Sequence, residues 1–195
     1  MKRRPGQLRI IGGLWRRRLI DFDSAEGVRP TPDRVRQTLF DWLAPRIQGA
    51  VCLDLFAGSG ALGLEALSRG AAHADFVEQG RDQALGIGEA LRRLGAQDRA
   101  KLIRAEALLW LQGAATQAMR YEVVFVDPPY AADLIEPVLQ GLAPLLRADN
   151  RVYLEWPAGR APILPSGYTW LREKQAGQVS FGLARFAAPD PETRS

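Results

Sequence analysis

Two short stretches hold side chains of the kind chemistry needs. The first is "VFVDPPY" (124–130), a hydrophobic run ending in a carboxylate, two prolines and an aromatic ring. The proline after Asp127 pushes its backbone into the extended region. Pro128 and Pro129 then fix the next φ angles and lower the entropy cost of ordering the loop. The result is a stiff ledge at the carboxyl end of a strand, where open α/β sheets bind ligands. Asp127 and the Pro128 carbonyl are two acceptors, and Tyr130 is an aromatic plate. Together they suit a planar base with an exocyclic amine, its hydrogens accepted and its ring stacked on Tyr130. Accepting those hydrogens returns electron density to nitrogen and aims its lone pair. With an ordinary carboxylate pKa of about 3.9, Asp127 would be a poor base, so its expected role is orientation and charge stabilisation.

The second stretch is "LDLFAGSGALG" (53–63), in which Gly58, Gly60 and Gly63 make a formal G-x-G-x-x-G between a strand and a helix. Alone, that pattern suggests a dinucleotide site. Asp54 argues otherwise, because an acid beside the glycines would oppose a pyrophosphate. S-adenosylmethionine has no phosphate, and its methionine ammonium would favour an acid there. Glu78, 18 residues beyond Gly60, closes the next strand, where an acid accepts from ribose hydroxyls. The D-P-P-Y ledge has no role in hydride transfer. A nicotinamide oxidoreductase therefore leaves Asp54 and Asp127 unexplained.

These residues must be positioned by alternating elements. Strands are expected at 50–57, 74–78, 100–106, 121–127 and 150–156. Helices are expected from the glycine loop to Gly70, over 81–95, in "ALLWLQGA", and in "ADLIEPVLQGLAPLL", broken there by Pro137 and Pro144. A final hairpin turns near Ala176-Gly177. Such alternation predicts an α/β fold: a mostly parallel seven-stranded sheet with helices on both faces, Rossmann-like, ending in an antiparallel hairpin. Upstream, "QLRIIGGLWRRRLIDF" reads as a small β-hairpin turning at Gly12-Gly13. In "GVRPTPDRVRQTLFDWLAP", Thr31 is the expected N-cap and Pro32 the first helical residue. The expected organisation is a hairpin extension over 1–28, a catalytic domain over 29–187 and a disordered tail over 188–195.

The 195 residues carry a net charge of +4, unevenly spread. Residues 1–36 hold ten Lys/Arg against four acids. A basic end on a slightly acidic body suggests a polyanion partner. Arg9, Trp15, Arg16, Arg17, Arg18, Arg29 and Arg34 are the candidate RNA contacts, mixing guanidinium and aromatic groups. Lys2, Arg3 and Arg4 read as a flexible basic end. One cysteine, Cys52, and one histidine, His73, leave no internal disulfide and no Cys- or His-based metal site. Cys52 sits in an apolar run and reads as core. With no 18-residue apolar stretch and no signal core, a cytoplasmic protein is expected.

The linked motifs resemble a known group. "DLFAGSGALGLEALSRGA" with "VFVDPPY" is similar to the class I amino-methyltransferases. "RIIGGLWRRRLIDF" followed by "GVRPTPDRVRQTLFDWL" narrows the resemblance to the RsmD family of 16S rRNA guanine-N2 methyltransferases, from about Gln7 to Arg185. The resemblance implies S-adenosylmethionine as cofactor and one guanine N2 amine of 16S rRNA as target, within the 30S subunit or an assembly intermediate. It puts Asp54, Phe56, Gly58, Ser59 and Gly60 around the methionine moiety, Glu78 on the ribose and Asp127 to Tyr130 around the target base. Glu106 stands where the family usually has Asp or Asn against adenine, and Gln79-Gly80 departs from the residue pair the family tends to carry. A monomer without metal is expected. Competing readings are an adenine-N6 methyltransferase using the same ledge and a non-catalytic RNA-binding assembly factor. The lack of a separate DNA-recognition domain weighs against a DNA enzyme, and the intact Asp127 and Glu78 against the second reading. D-P-P-Y alone does not say which amine it holds.

Overall fold

The computed structural model describes residues 6–22, 30–114, 118–128 and 134–188. Their order is β1 (Gly6–Arg9), β2 (Leu19–Phe22), α1 (Asp33–Leu43), β3 (Val51–Asp54), α2 (Ala61–Ser68), β4 (His73–Val77), α3 (Arg81–Leu94), β5 (Ala100–Ile103), α4 (Ala107–Ala114), β6 (Tyr121–Val126), α5 (Ile135–Leu142), β7 (Leu146–Pro157), β8 (Tyr168–Ala176) and β9 (Val179–Phe186). Seven strands form one sheet in the order β5-β4-β3-β6-β7-β9-β8. The first five pair in parallel, and β7–β9 and β9–β8 are antiparallel. The chain runs outward through β4 and β5, then returns to lay β6 on the other side of β3. The switch point lies between β3 and β6, whose carboxyl ends carry Asp54 and Asp127. This is the expected architecture.

Both faces of the sheet are covered, so its central strands are continuous apolar runs rather than alternating ones. Cys52, Val123, Phe125 and Tyr153 join a core with α1, α2, α3 and the amino-terminal segment. Leu53, Val124, Val126 and Leu154 join a second core with α4 and α5. On the first face Phe40 of α1 meets Phe125 of β6 at 5.8 Å between ring centroids. That seats α1 beside the strand that ends in Asp127.

Several local expectations are corrected. The amino-terminal hairpin does not turn at Gly12-Gly13, because β1 and β2 pair across an excursion over residues 10–18. Gly13 has φ +76 and lies so close to α2 that a Cβ would collide with the Ser68 carbonyl. The glycines serve close approach to α2, not a two-residue turn. Trp15, expected at an RNA surface, is buried at 3% exposure in the first core. Its backbone N–H donates to Ser68 Oγ at 2.9 Å, and Arg99 stacks over its ring at 5.5 Å. The apolar ring is worth more against this core than in water. Thr31 does not cap α1, and the capping position is Pro32, which has no side-chain cap bond. Pro137 does not break α5, because it is the third helical residue, where no intrahelical donor is required. Pro144 falls in a 3₁₀ turn over 143–145.

The excursion is fastened by a buried ionic cluster. Glu65 of α2 has no exposure. It accepts from the Ile11 and Gly12 backbone N–H groups at 2.9 and 2.8 Å and from Arg69 Nε at 2.7 Å. Arg36 of α1, 1% exposed, places Nη1 3.5 Å from Glu65. Its Nε and Nη2 donate to the carbonyls of Thr31 and Arg9 at 3.1 and 2.8 Å. Removing one partner of a buried pair leaves a charge and several donors stranded, a loss of roughly 3–5 kcal/mol. Glu65→Ala is therefore expected to lose stability on that scale in urea unfolding. Trypsin should also cut after Arg16, Arg17 or Arg18 much faster than in the parent protein.

Candidate active site

Asp54 ends β3 and is 2% exposed. Its Oδ2 accepts from the Gly63 N–H of α2 at 2.9 Å. That contact needs the helix close to the sheet, and Gly63 permits it, since a Cβ there would sit 2.3 Å from the Phe76 ring. Gly58 and Gly60 adopt φ +52 and +75, so the loop turns from strand to helix in a conformation that L side chains resist. Burial pushes the Asp54 carboxyl up from 3.8 to about 7, against the Gly63 hydrogen bond, and Glu78 adds to the rise.

Glu78 follows β4 and binds two backbone donors: Gly58 N–H to Oε2 and Gly80 N–H to Oε1, each at 2.7 Å. It thus clamps the glycine loop to the next strand end. Each oxygen keeps a lone pair for a further donor. Ser59 is buried and Phe56 packs partly buried against the second core. Glu106 precedes α4 and accepts from the Leu108 and Leu109 N–H groups at 3.0 and 2.8 Å. The longer acid at this position caps a helix.

Asp127 lies one residue past β6, beside Pro128, which is buried. Thr31 donates to its Oδ2 at 3.4 Å. That hydroxyl, expected to cap α1, is spent on the candidate catalytic acid. Burial, then the charges of Glu155 and Asp54, push Asp127 well above the ordinary carboxylate range, with Thr31 opposing. The value of about 3.9 assumed for an isolated aspartate does not hold here. Glu155 on β7 and Tyr153 two residues before it share the Asp127 face. Tyr153 donates to Glu155 Oε2 at 2.9 Å, and burial raises the Glu155 carboxyl against that bond.

Thus Asp54 ends β3, Asp127 lies just past β6, and Glu155 sits near the end of the adjacent β7. Such a row favours ligands that bring cations or hydrogen donors. Among the described residues no three His, Cys, Asp or Glu side chains are gathered to hold a metal ion. An organic cation with an ammonium group fits Asp54, the site expected for methionine. Tyr153 and Glu155 are not among the residues the sequence points to, and Thr31 is expected there only as a helix cap. Glu155 is an acid near the end of a strand, like Asp54 and Glu78, and that signal could have found it. Nothing local marks Thr31 as a partner of Asp127. Pro129, Tyr130 and Arg29 lie outside the described residues.

Of the basic arm, Arg9, Arg16, Arg17, Arg18 and Arg34 are exposed. Arg17 holds φ +71, a backbone state that costs a non-glycine residue on the order of 1 kcal/mol. Its N–H is paired with the Ile10 carbonyl at 2.8 Å. The strained turn presents three successive guanidiniums outward.

A family model described as "Conserved hypothetical protein 95" matches residues 8–185. The chain belongs to this family, the RsmD family. It is 43% identical over 181 residues to Ribosomal RNA small subunit methyltransferase D of Escherichia coli K12, covering 91% of this chain and 89% of that protein. A solved structure described as "Putative methyltransferase yhhF from Escherichia coli" superposes with TM-score 0.83 at 43% identity, covering 94% and 99% of the two chains. Another, described as "a putative methyltransferase complexed with SAH", gives TM-score 0.70 at 13% identity, over 85% of this chain and 53% of that one. At that identity the likeness speaks for the fold. The RsmD-family resemblance and the Rossmann-like class I methyltransferase fold are both borne out.

The raised Asp54 carries a sign for stability. Between pH 3.8 and about 7 the folded protein keeps a proton that the unfolded chain releases. Stability therefore falls as pH rises through that window and levels off above it. Asp54→Asn removes this loss while keeping an acceptor for Gly63. The unliganded variant should melt about 5 °C or more higher than the parent at pH 8, with the gap closing toward pH 4. Differential scanning calorimetry across pH checks it, and an equal gap at both ends would contradict the assignment.

Proposed function

We propose that this protein transfers a methyl group from S-adenosylmethionine to the exocyclic N2 amine of a guanine in 16S rRNA, on the 30S subunit or an assembly intermediate. The observation that carries the reading is Asp127, one residue past β6 at the topological switch point, where β6 pairs with the glycine-loop strand β3 and the charge of Asp54 acts on its carboxyl. The rRNA substrate is supported by the relative named for small-subunit rRNA methylation. The guanine N2 target follows from the sequence resemblance.

S-adenosylmethionine, when bound, supplies a methyl group on a positively charged sulfur. The chain's own groups do the rest. Asp54 holds the methionine ammonium, and Gly58 to Gly60 let the backbone approach it closely. Glu78 accepts from the ribose hydroxyls while anchoring the loop, and Glu106 takes the adenine side. Asp127 and the Pro128 carbonyl accept the amine hydrogens and turn its lone pair toward the cofactor side. Tyr130 stacks on the base. A cation bound beside Asp127 would draw its carboxyl back toward the ionised form, in which it would stabilise the positive charge developing on the amine nitrogen. The neutral amine need not be deprotonated first, because its proton would leave to solvent once methylation has made it acidic. Thr31 limits the rotation of this carboxylate. The amino-terminal arm, with Arg16, Arg17 and Arg18 outermost, supplies salt-sensitive phosphate contacts. No helix among the described residues is long and apolar enough to cross a membrane, and a cytoplasmic monomer suits a ribosomal substrate.

An adenine-N6 reading uses the same ledge, and one assay separates the two. Methyl-labelled S-adenosylmethionine is incubated with 30S particles lacking the modification, naked 16S rRNA or duplex DNA. Nucleoside digestion should show label as N2-methylguanosine from the rRNA. Label as N6-methyladenosine, or in DNA alone, would sink the proposal. Asp127→Ala should lose transfer by roughly 10³-fold while its affinity for S-adenosylhomocysteine stays within about threefold.

A further inference from the structure

We propose that Glu155 selects the target base by accepting the ring N1–H of guanine beside the amine held at Asp127. This rests on the guanine-N2 reading and deepens it. The argument begins with register. Val126 pairs with Leu154 across parallel strands β6 and β7, so the next residues, Asp127 and Glu155, are neighbours at the carboxyl edge. Tyr153, fully buried, donates to Glu155 Oε2, and among the described residues nothing donates to Oε1. The side chain is half-buried rather than enclosed. One oxygen is fixed from below and the other is left for a ligand.

Two neighbouring carboxylates form an acceptor–acceptor pair. The three amine-bearing bases differ in what flanks the amine on the Watson–Crick edge. Adenine N6 is flanked by N1 and cytosine N4 by N3, both unprotonated acceptors. A carboxylate facing either would be repelled. Guanine N2 is flanked by N1–H, a donor. Guanine alone offers donor beside donor, matching Asp127 and Glu155 in order. A site built to receive a hydrogen bond rejects an analogue lacking the donor far more strongly than a hydrophobic pocket rejects a missing methylene. Asp127 holds an amine, and Glu155 decides whose amine it is.

The test uses 30S particles reconstituted with 16S rRNA carrying guanine or 2-aminopurine at the methylated position. 2-Aminopurine keeps the 2-amine and has an unprotonated N1. The parent protein should prefer guanine by about 10²-fold or more in kcat/KM. Glu155→Gln offers an amide that can donate to N1. It should lower kcat/KM on guanine by roughly 30-fold or more and bring the two bases within about tenfold of each other. Its S-adenosylhomocysteine affinity should be unchanged. Equal use of both bases by the parent protein overturns the assignment without any variant. N2-methylguanosine formed by Glu155→Gln with an unaltered base ratio overturns the role of Glu155 alone. No N2-methylguanosine from the parent protein takes the guanine reading down with it.

Discussion

The structure depends on one buried carboxylate. Glu65 sits on α2, the helix that begins at the glycine loop, and has no water to solvate it. It is balanced by Arg36 and Arg69 and by two backbone N–H groups of the 10–18 excursion. Buried ion pairs of this kind are poor sources of net stability but costly to break, and they admit few alternative arrangements. Here the arrangement joins three pieces: the basic arm, α1 and the cofactor-side helix. Arg36 holds the carbonyl of Thr31, and Thr31 reaches Asp127. A continuous line of contacts therefore runs from the surface that carries Arg16 to Arg18 to the Asp127 carboxyl.

The active site itself is assembled against stability. Asp54, Asp127 and Glu155 sit at adjacent strand ends, each pushed toward its neutral form by burial. An unliganded fold gains nothing from gathering acids there. On the proposed reading, a cationic cofactor and a base with hydrogens to donate would turn the same row into a complementary surface. Glu78 and Glu106 differ in kind, because their oxygens already hold backbone amides that shape the loop and the start of α4. The site thus has acids that build its walls and acids that wait for ligands.

Much of this was legible along the chain. The apolar runs ending in Asp54, Glu78 and Asp127 announce strands whose last residue is polar, and the glycine spacing places a tight turn between the first and its helix. Those signals are local, and the parallel sheet followed from their alternation. The errors came where a local rule competed with a distant contact. Gly12-Gly13 matches a hairpin turn in isolation, yet Ser68 is what needs the missing side chains. Thr31 before Pro32 matches a helix cap, yet Asp127, 96 positions away, receives its hydroxyl. Trp15 among arginines reads as a nucleic-acid contact, yet the first core buries it.

The sequence by itself carried the proposed class of chemistry: an acid-first glycine loop that suits a phosphate-free cofactor and a proline-stiffened acceptor ledge that suits an amine. It did so because each motif is contiguous, and strand ends and turns are set by nearest neighbours. The tertiary structure alone decided what stands beside that ledge. Glu155 lies 28 positions from Asp127 in sequence, and only the pairing of β6 with β7 makes them neighbours. On the proposed reading, the choice of base turns on two adjacent acceptors, and adjacency across strands is not written in either strand.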